Sequence, residues 1–391
     1  MMLREMIRPG ARILFVLILA YAPGAFAGES PRVYFAGHAY LAEAASIPTQ
    51  FPNLQNTLGG DGSAHFDGEL GATAQRFIPD HFVLVIGDLG VVSKVGPALA
   101  LALAFERETV SHEVVGGDHK VLIEIAAQVL VMDYSSKQLI ASYPLIIQHV
   151  DVLAQAPTAD DLAPMFAQLV TGAESALQQA FWEVVQTLRL PSAASRTLRL
   201  SQIKLGEKAR ATLSEYGVQE PDFTFRVAQQ FGSMLFKNQA LPILPYGSNQ
   251  AIGGKMPATF ANGDVFQIEI PDADYEALLT IDGFKKVTAE QTPIVTIFVY
   301  GVFVTIEIIE PLTRKSFFHA QIRRGEPRKV PVSLVNTDDW ASFSETLLSL
   351  FNQFTAVQGK PSRSWTRDHV VESGSQKVEF AKLQELYESC R

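Results

Sequence analysis

The chain has 391 residues, of which 47 % are hydrophobic and 19 % charged, and its formal net charge is −9. This composition is typical of a folded protein and excludes wholesale disorder. The acidic balance disfavours non-specific binding to nucleic acid or to anionic lipid, because both select basic surfaces. A chain of this length is longer than a single hydrophobic core usually supports, so two domains are expected.

The first 27 residues have the pattern of a secretory signal peptide. Three arginines precede the apolar stretch Ile13–Ala22, and an A-x-A sequence ends at Ala27. The alternative, an uncleaved anchor, is disfavoured because Pro23 ends the apolar run well short of the roughly 20 residues of a spanning helix. We expect cleavage after Ala27, a periplasmic or secreted protein, and no membrane span in the cleaved chain. Cleavage removes three Arg and one Glu, which leaves 29 basic against 40 acidic residues and a net charge of −11.

Cysteine usage agrees with export but adds little. Cys390 is the only cysteine, so the chain has no internal disulfide and no thiolate metal cluster. Pairing of Cys390 between two chains is one possibility, and an unpaired tail residue is the simpler interpretation.

Composition and periodicity divide the chain into six predicted parts. They are, in order, a signal peptide (1–27), a loop-rich N-terminal segment (28–80), a first α+β domain (81–190), a linker (191–222), a second α+β domain (223–358) and a polar tail with a short helix (359–391). Within the N-terminal segment, Leu58–Gly71 holds five Gly and is predicted as a surface loop.

In the first domain, apolar residues alternate at every second position, which predicts strands over Leu99–Phe105 and Val121–Val131. Leu139–Val150 is the expected returning strand, and Pro144 within it predicts a sheet edge or a bulge. From Leu162 to Leu188 the apolar residues recur every three or four positions, which predicts one long amphipathic helix.

The second domain repeats this order. Ile294–Ile309 is predicted as a strand. The apolar run Pro293–Ile306 is predicted as a buried core strand, with a membrane-crossing hairpin in an oligomer as the alternative. A turn, a returning strand and a helix from Trp340 to Phe354 follow. A shift of 178 residues superposes Lys137 on Lys315 and Asp160-Asp161 on Asp338-Asp339, which indicates a degenerate duplication; chance resemblance is the alternative. The predicted fold is therefore α+β, with two related domains, each a mainly antiparallel sheet backed by a long helix.

Two further helices are predicted outside these repeats. Phe225–Leu241 carries an apolar stripe at helical spacing, and so does Lys377–Tyr387 in the tail. The tail helix is expected to dock on its own domain, with docking on a partner as the alternative.

The sequence contains no local catalytic motif. No G-x-S-x-G elbow and no H-E-x-x-H occurs. Gly247–Lys255 ends like a phosphate loop, but Pro257 prevents the helix that would supply its amides. His112 and His119 flank a turn, where a hairpin could bring them together, although solvated residues are the simpler interpretation.

Three acidic groups are explained by local structure. His65 lies near Asp61, Asp67 and Glu69 in what we expect to be a polar loop without calcium-site spacing. Asp160-Asp161 and Asp338-Asp339 each open a helix, where acids cap free amides and suit the dipole.

Met132–Ser142 (MDYSSKQLIAS) resembles the hairpin D-x-x-(S/T)-G-x-(L/V)-(L/I)-x-S found in several envelope assembly proteins of the curli-secretion and outer-membrane-lipoprotein type. Lys137 stands where those families usually have Gly. The resemblance covers eleven residues and assigns no functional residue to this chain.

These observations favour an exported, non-catalytic envelope protein that binds a protein partner or assembles into a larger periplasmic complex or homo-oligomer. We assign no catalytic, cofactor-binding or metal residues and expect no nucleic-acid partner. The alternatives are a periplasmic hydrolase with a dispersed active site and a soluble carrier of a small apolar ligand. A groove between the two domains is a plausible contact site, because ligands favour domain interfaces.

Overall fold

Two mixed β-sheets of seven and four strands, with helices packed against them, confirm the predicted α+β class. The computed structural model describes residues 30–87, 89, 98–115, 117–192, 194–246, 254–333, 338–357, 359–371 and 380–391. The predicted signal peptide, residues 1–27, lies outside these ranges, and so do residues 247–253 of the glycine-rich segment.

The strands are β1 (Arg32–Tyr40), β2 (Val83–Val85), β3 (Leu99–Val115), β4 (Asp118–Asp133), β5 (Gln138–Leu153), β6 (Leu198–Leu205), β7 (Lys255–Phe260), β8 (Val265–Glu269), β9 (Tyr275–Gln291), β10 (Val295–Glu310) and β11 (Lys315–Pro331).

The helices are α1 (Ile47–Gln50), α2 (Pro52–Leu58), α3 (Asp61–Thr73), α4 (Ala159–Val170), α5 (Ala176–Thr187), α6 (Glu207–Glu215), α7 (Glu220–Gln239), α8 (Asp339–Thr355), α9 (Arg363–His369) and α10 (Phe380–Cys390).

The first sheet has the order β2-β1-β3-β4-β5-β8-β7, and a β1–β7 pairing closes it on itself. The alternation predicted for β3 is confirmed. Leu101 and Leu103 face a core shared with α2–α5, whereas Ala100 and Ala102 face a second, smaller core that β7 and β8 complete. Small side chains suit the inner face, because β7 and β8 approach it closely.

The second sheet has the order β11-β10-β9-β6, with β6 parallel to β9 and the other pairs antiparallel. Helices α7, α8 and α10 contribute to the core on one of its faces. The tail helix α10 therefore docks on the chain's own second core, through Phe380, Leu383 and Leu386 among others.

Helix α7 joins the two halves by packing on both. One side places Val227, Phe231 and Leu235 in the second core, where the Phe231 ring lies 5.3 Å from that of Phe351 on α8. The other side lies on the first sheet, where Arg226 Nε is 3.3 Å from a carboxylate oxygen of Glu124 on β4.

Three sequence expectations on local structure are wrong. The segment 28–80 holds β1 and helices α1–α3, and the predicted loop 58–71 is largely α3, because burial of Phe66 and Leu70 one turn apart outweighs its glycines. The predicted helix 162–188 is two helices, α4 and α5, separated at Gly172, whose φ is +82°. Ser175 caps the second of them.

The strands also cross the predicted domain boundaries. β6 lies within the predicted linker 191–222 and pairs with the second sheet, whereas β7 and β8 lie within the predicted second domain and pair with the first. Helix α7 directly precedes β7 among the described elements and packs on both sheets, so the chain is next to both of them before β7 begins.

The two halves share their backbone irregularities. Lys137 and Arg314 end the β4–β5 and β10–β11 turns with φ of 59° and 57°, so the turns correspond at 177 residues and not at the 178 that aligned Lys137 with Lys315. The following bulges also lie 177 residues apart, at Ile140 and Phe317. A third pair of bulges has acidic residues 176 positions apart, Glu106 in β3 and Asp282 in β9.

Strands β3–β5 and β9–β11 form two antiparallel meanders, and each meander has a parallel strand at its side, β1 or β6. These two parallel strands have matching bulges as well. β1 bulges after Phe35, opposite Leu101, and β6 bulges after Leu200, opposite Ala277. Bulges are retained as designed features within families, so their coincidence in register supports an internal duplication more strongly than the few identities do.

The two turns give a matched stability test. Arg314→Gly should raise the free energy of unfolding by roughly 0.5–1 kcal/mol, because a non-glycine residue in the left-handed region is strained. Lys137→Gly should gain less, because the Lys137 ammonium lies 3.5 Å from the Phe266 ring centroid and 3.9 Å from that of Tyr134. Urea unfolding of both variants checks this, and equal gains would show that the ring contacts contribute nothing.

Candidate interaction surface

The outward side of β10 carries an apolar row where a solvated sheet face is expected to be polar. The inward residues Tyr300, Val302 and Val304 are completely buried against the second core. The outward residues between them and beyond them remain partly exposed, and they are Val295, Ile297, Val299, Gly301 and Phe303. Strand β10 is therefore buried on one side only, and the buried core strand predicted for Pro293–Ile306 holds for that side alone.

The neighbouring strands extend this surface. On β11, from Arg323 to Pro331, every second residue points outward and is exposed, and the residues between them are half-buried. On β9, Val287 lies opposite Val299 and is 45 % exposed. We call this surface the open face. It consists of Lys285, Val287, Val295, Ile297, Val299, Gly301, Phe303, Arg323, Gly325, Pro327 and Lys329.

Two glycines form a trough across the open face. Gly301 and Gly325 are direct cross-strand partners, so two adjacent strands have no side chain at this level. Phe303 and Val299 lean toward the gap: a Cβ at Gly301 would lie 3.7 Å from the Phe303 ring, and one at Gly325 would lie 3.1 Å from a Val299 methyl. Glycine inside a strand often marks a place where another backbone approaches closely.

Cations border the trough. Lys285 is the β9 partner of Gly301, Arg323 is the β11 partner of Phe303, and Lys329 is the β11 partner of Ile297. All three are exposed, and none makes an ion pair within the part of the chain that the structure describes. The open face is thus an apolar strip with basic margins on a chain whose net charge is −9.

The corresponding face of the first sheet is covered. There the bulge carboxylate of Glu106 accepts a hydrogen bond of 2.6 Å from Gln128 Nε2, and the Ser142 hydroxyl donates to Gln128. Helix α7 lies over this network through Gln229, and Gly232 of α7 approaches Pro144 so closely that a Cβ would lie 3.3 Å from its ring.

In the second half, the equivalent carboxylate has only partners from its own sheet among the described residues. Asp282 Oδ2 accepts hydrogen bonds of 2.8 Å from Thr305 and 3.0 Å from Gln321. The same acidic bulge therefore lies under a helix in one half and on the open face in the other.

Burial gives Glu106 an unusual titration. Its carboxyl is 4 % exposed, and this desolvation raises its pKa to about 7, although hydrogen bonds from Gln128 and Gln229 and the charge of Arg107 act in the opposite direction. We therefore expect the contact between α7 and the first sheet to weaken as the pH rises through about 7.

The structure places the histidines singled out in the sequence as follows. His112 and His119 meet across the β3–β4 hairpin with ring centroids 5.5 Å apart. His65 Nε2 lies 3.3 Å from Glu69 within α3, which is a helix and not the expected polar loop. Within the described ranges, no three His, Cys, Asp or Glu side chains group as metal ligands.

The acid pairs have structural roles. Thr158 and Asp161 form a capping box at α4, and Asp338 accepts from the Ala341 amide at 2.8 Å to cap α8. The hydrogen bonds from the hydroxyl and amide of Thr158 lower the pKa of Asp161. Asp339 instead receives the Lys286 ammonium at 2.8 Å, which fixes α8 to β9.

A groove does lie between the two halves, with a volume of about 470 Å³. It is lined by the C-terminal ends of α5 and α7 and by Arg391. Arg391 donates from Nε to the carbonyl of Gln239 at 3.1 Å, and cations near helix C-termini such as Lys237 and Arg189 complement the dipole. The charges of this groove are thereby explained by the fold.

A His–Asp pair that no local sequence motif indicates joins β1 to α3. His38 Nδ1 lies 2.6 Å from Asp67, as in a catalytic dyad, and His38 Nε2 has no partner in the described chain. The His38 side chain is 0 % exposed, and the rings of Tyr40, Phe66 and Phe105 pack against it. A substrate therefore has no access to this nitrogen in the folded state.

Cys390 is also buried, and burial raises the pKa of its thiol to about 12. Because the thiol is buried, pairing between chains would require local unfolding of α10. The raised pKa also disfavours the thiolate, which is the reactive form. None of the helices in the described ranges combines the length and apolarity needed for a membrane crossing.

No protein-family model matches the chain, and no curated protein matches it. Among solved structures, a minor lipoprotein from Acinetobacter baumannii aligns at 10 % identity over 42 % of this chain and 90 % of its own, with a TM-score of 0.20.

Two other solved structures align over a similar share. A Xanthomonas campestris protein of the DUF330 family model aligns at 12 % identity over 44 % of this chain and 88 % of its own, with a TM-score of 0.20. A neuraminyllactose-binding hemagglutinin homolog from Helicobacter pylori aligns at 11 % identity over 40 % and 85 %, with a TM-score of 0.21. Scores this low do not establish a shared fold.

Removal of the buried charge should flatten the pH dependence of stability. The folded pKa of Glu106 is raised from 4.5 to about 7, so its stabilising contribution is complete below pH 4.5 and is lost as the pH rises through 7. The loss is on the order of 3 kcal/mol. Urea titrations of Glu106→Gln between pH 4.5 and 8 should show a reduced slope, whereas the exposed control Glu183→Gln keeps the wild-type slope. An unchanged slope in Glu106→Gln contradicts this assignment.

The glycines of the covered and open faces should respond in opposite directions. Gly301→Val should raise the free energy of unfolding by up to about 1 kcal/mol, because valine favours strands and the face has room for it. Gly232→Val should lower it by roughly 1–3 kcal/mol, because the added methyls meet Pro144. Thermal unfolding of both variants tests this, and destabilisation by Gly301→Val would show that the open face is occupied in the isolated protein.

Proposed function

We propose that the protein is an exported, non-catalytic envelope protein that binds a partner through the open face. The single observation that supports this best is the row Val295, Ile297, Val299 and Phe303, which points away from the core on the central strand of a four-stranded sheet. Contiguous apolar surface with a polar margin is characteristic of protein interaction sites.

Export is supported by the leader pattern of residues 1–27, and envelope placement follows from it as part of the proposal. The binding role is supported by the contrast between the two halves. In the first half the corresponding sheet face is covered by the chain itself, with α7 and β7–β8, whereas in the second half the described elements leave it open.

The proposal can be tested by site-specific photo-crosslinking in the native host. Replacement of Val299 by the photoreactive residue p-benzoylphenylalanine should give one discrete adduct in the envelope fraction, because this side chain would lie at the centre of the contact. The same replacement of the exposed Lys360 is the control and should give no such adduct.

Adduct formation at position 299 should also fall in the Gly301→Val variant, because the valine side chain fills the trough. The fold of this variant is expected to stay intact. Absence of an adduct from the replacement at Val299, or an identical adduct from the one at Lys360, would remove the basis for the proposed function.

A further inference from the structure

The internal duplication indicates what kind of element fits the open face. The 177-residue shift that matches the turn residues Lys137 and Arg314 carries Glu124 and Gln148 of the first sheet onto Gly301 and Gly325. Glu124 is the residue that Arg226 of α7 contacts, and Gln148 donates to it at 2.6 Å. The trough therefore lies at the place where the first sheet receives a helix.

We propose that the open face receives an amphipathic helix of a partner protein, with an apolar stripe and acidic margins, across the Gly301–Gly325 trough. This inference rests on the proposed function and names the element that carries it. On the first sheet the chain supplies its own helix; on the second, the partner supplies it.

A helix is favoured over an added strand by the chemistry of the sheet edge. β11 is the outer strand of the second sheet, and Pro327 and Pro331 within it have no amide hydrogen to offer a new strand. Further along the same edge, Gln321 already accepts from the amide of Val371 at 2.9 Å. Docking on the face leaves the edge unused.

The trough has the dimensions of a helix contact. Three strands about 4.8 Å apart span roughly 10 Å, which is about two turns of helix. Along the strands, Phe303 and Val299 border the gap, and the missing side chains at Gly301 and Gly325 allow a helix to approach the sheet closely. The apolar stripe of such a helix would repeat at positions i, i+3, i+4 and i+7.

The acidic margins follow from charge complementarity. Lys285 and Arg323 lie on either side of Gly301 and Phe303, and Lys329 lies further along β11. The acids on the same face are Asp282, whose Oδ2 is already bonded by Thr305 and Gln321, Glu307 toward the turn, and the exposed Glu290 at the distal end. Carboxylates on the helix would pair with the cations that the chain leaves without an ion pair in its described part.

The test uses two synthetic helical peptides with the same length and apolar stripe, one with Glu and one with Lys at its margins. Fluorescence anisotropy with the full mature protein should show that the acidic peptide binds at least about 10-fold more tightly than the basic one. Lys285→Glu with Arg323→Glu should weaken the acidic peptide by about 10-fold or more, while the matched exposed pair Lys360→Glu with Arg363→Glu leaves it unchanged.

Gly301→Val should weaken the acidic peptide as well, because it fills the trough without a change in charge. Failure of both peptides to bind, equal affinities for the two, or indifference to Lys285→Glu with Arg323→Glu overturns the inference. Sedimentation of the wild-type protein alone tests a second copy as the occupant: self-association that Gly301→Val abolishes overturns it too.

The photo-crosslink separates this inference from the proposed function. If Val299 captures a partner through a segment that is extended or basic, the proposed function stands and the acidic helix is wrong. If Val299 captures nothing, both fail.

Discussion

The contact of helix α7 with both sheets is the constraint on which the rest of the structure depends. Its apolar side, which includes Phe231, belongs to the second core, and its other side meets Glu124 and Glu106 of the first sheet through Arg226 and Gln229. A helix used on both sides cannot belong to one domain. After α7 the chain returns to the first sheet with β7 and β8, and β7 closes that sheet on β1.

The same contact makes the two similar halves different. Both meanders have a left-handed turn residue, an acidic bulge in the first strand and a bulge after the turn, but only one α7 exists to cover a sheet face in this way. Beneath it the first sheet has buried polar residues such as Gln128 and Ser142, which hydrogen-bond to each other in place of water. The second sheet, without that helix, has Thr305 and Gln321 around its acid and an apolar row beyond them.

Much of the fold could be predicted from the sequence, because period-two alternation is a local signal. Leu101 and Ala102 separate two faces in the sequence just as they do in the sheet. The helix α3 could not be predicted in the same way, since its glycines oppose helix and only burial of Phe66 and Leu70 reverses that preference. The exchange of β6 and β7–β8 between the halves consists of long-range pairings and has no local signature.

The open face could not be predicted from the sequence for a related reason. Ile294–Ile309 is apolar at almost every position, which is the pattern of a strand buried on both sides. Which side is covered depends on where α7 lies, and the sequence of β10 does not contain that information. The signal that could have indicated an open face is on β11. Its exposed positions from Arg323 to Pro331 are basic residues, glycine or proline, although the neighbouring strand β10 is apolar.

The residues of the open face also reconcile two opposing demands. A surface that binds a partner must keep apolar side chains near water, and exposed apolar strands tend to pair with copies of themselves. Pro327 and Pro331 remove donors from the edge, Lys329 adds charge between them, and the Gly301–Gly325 pair interrupts the apolar row. These features oppose edge-to-edge pairing but leave the face accessible from above. Glycines cost strand stability at this position, and close approach by another backbone is the interaction that would offset that cost.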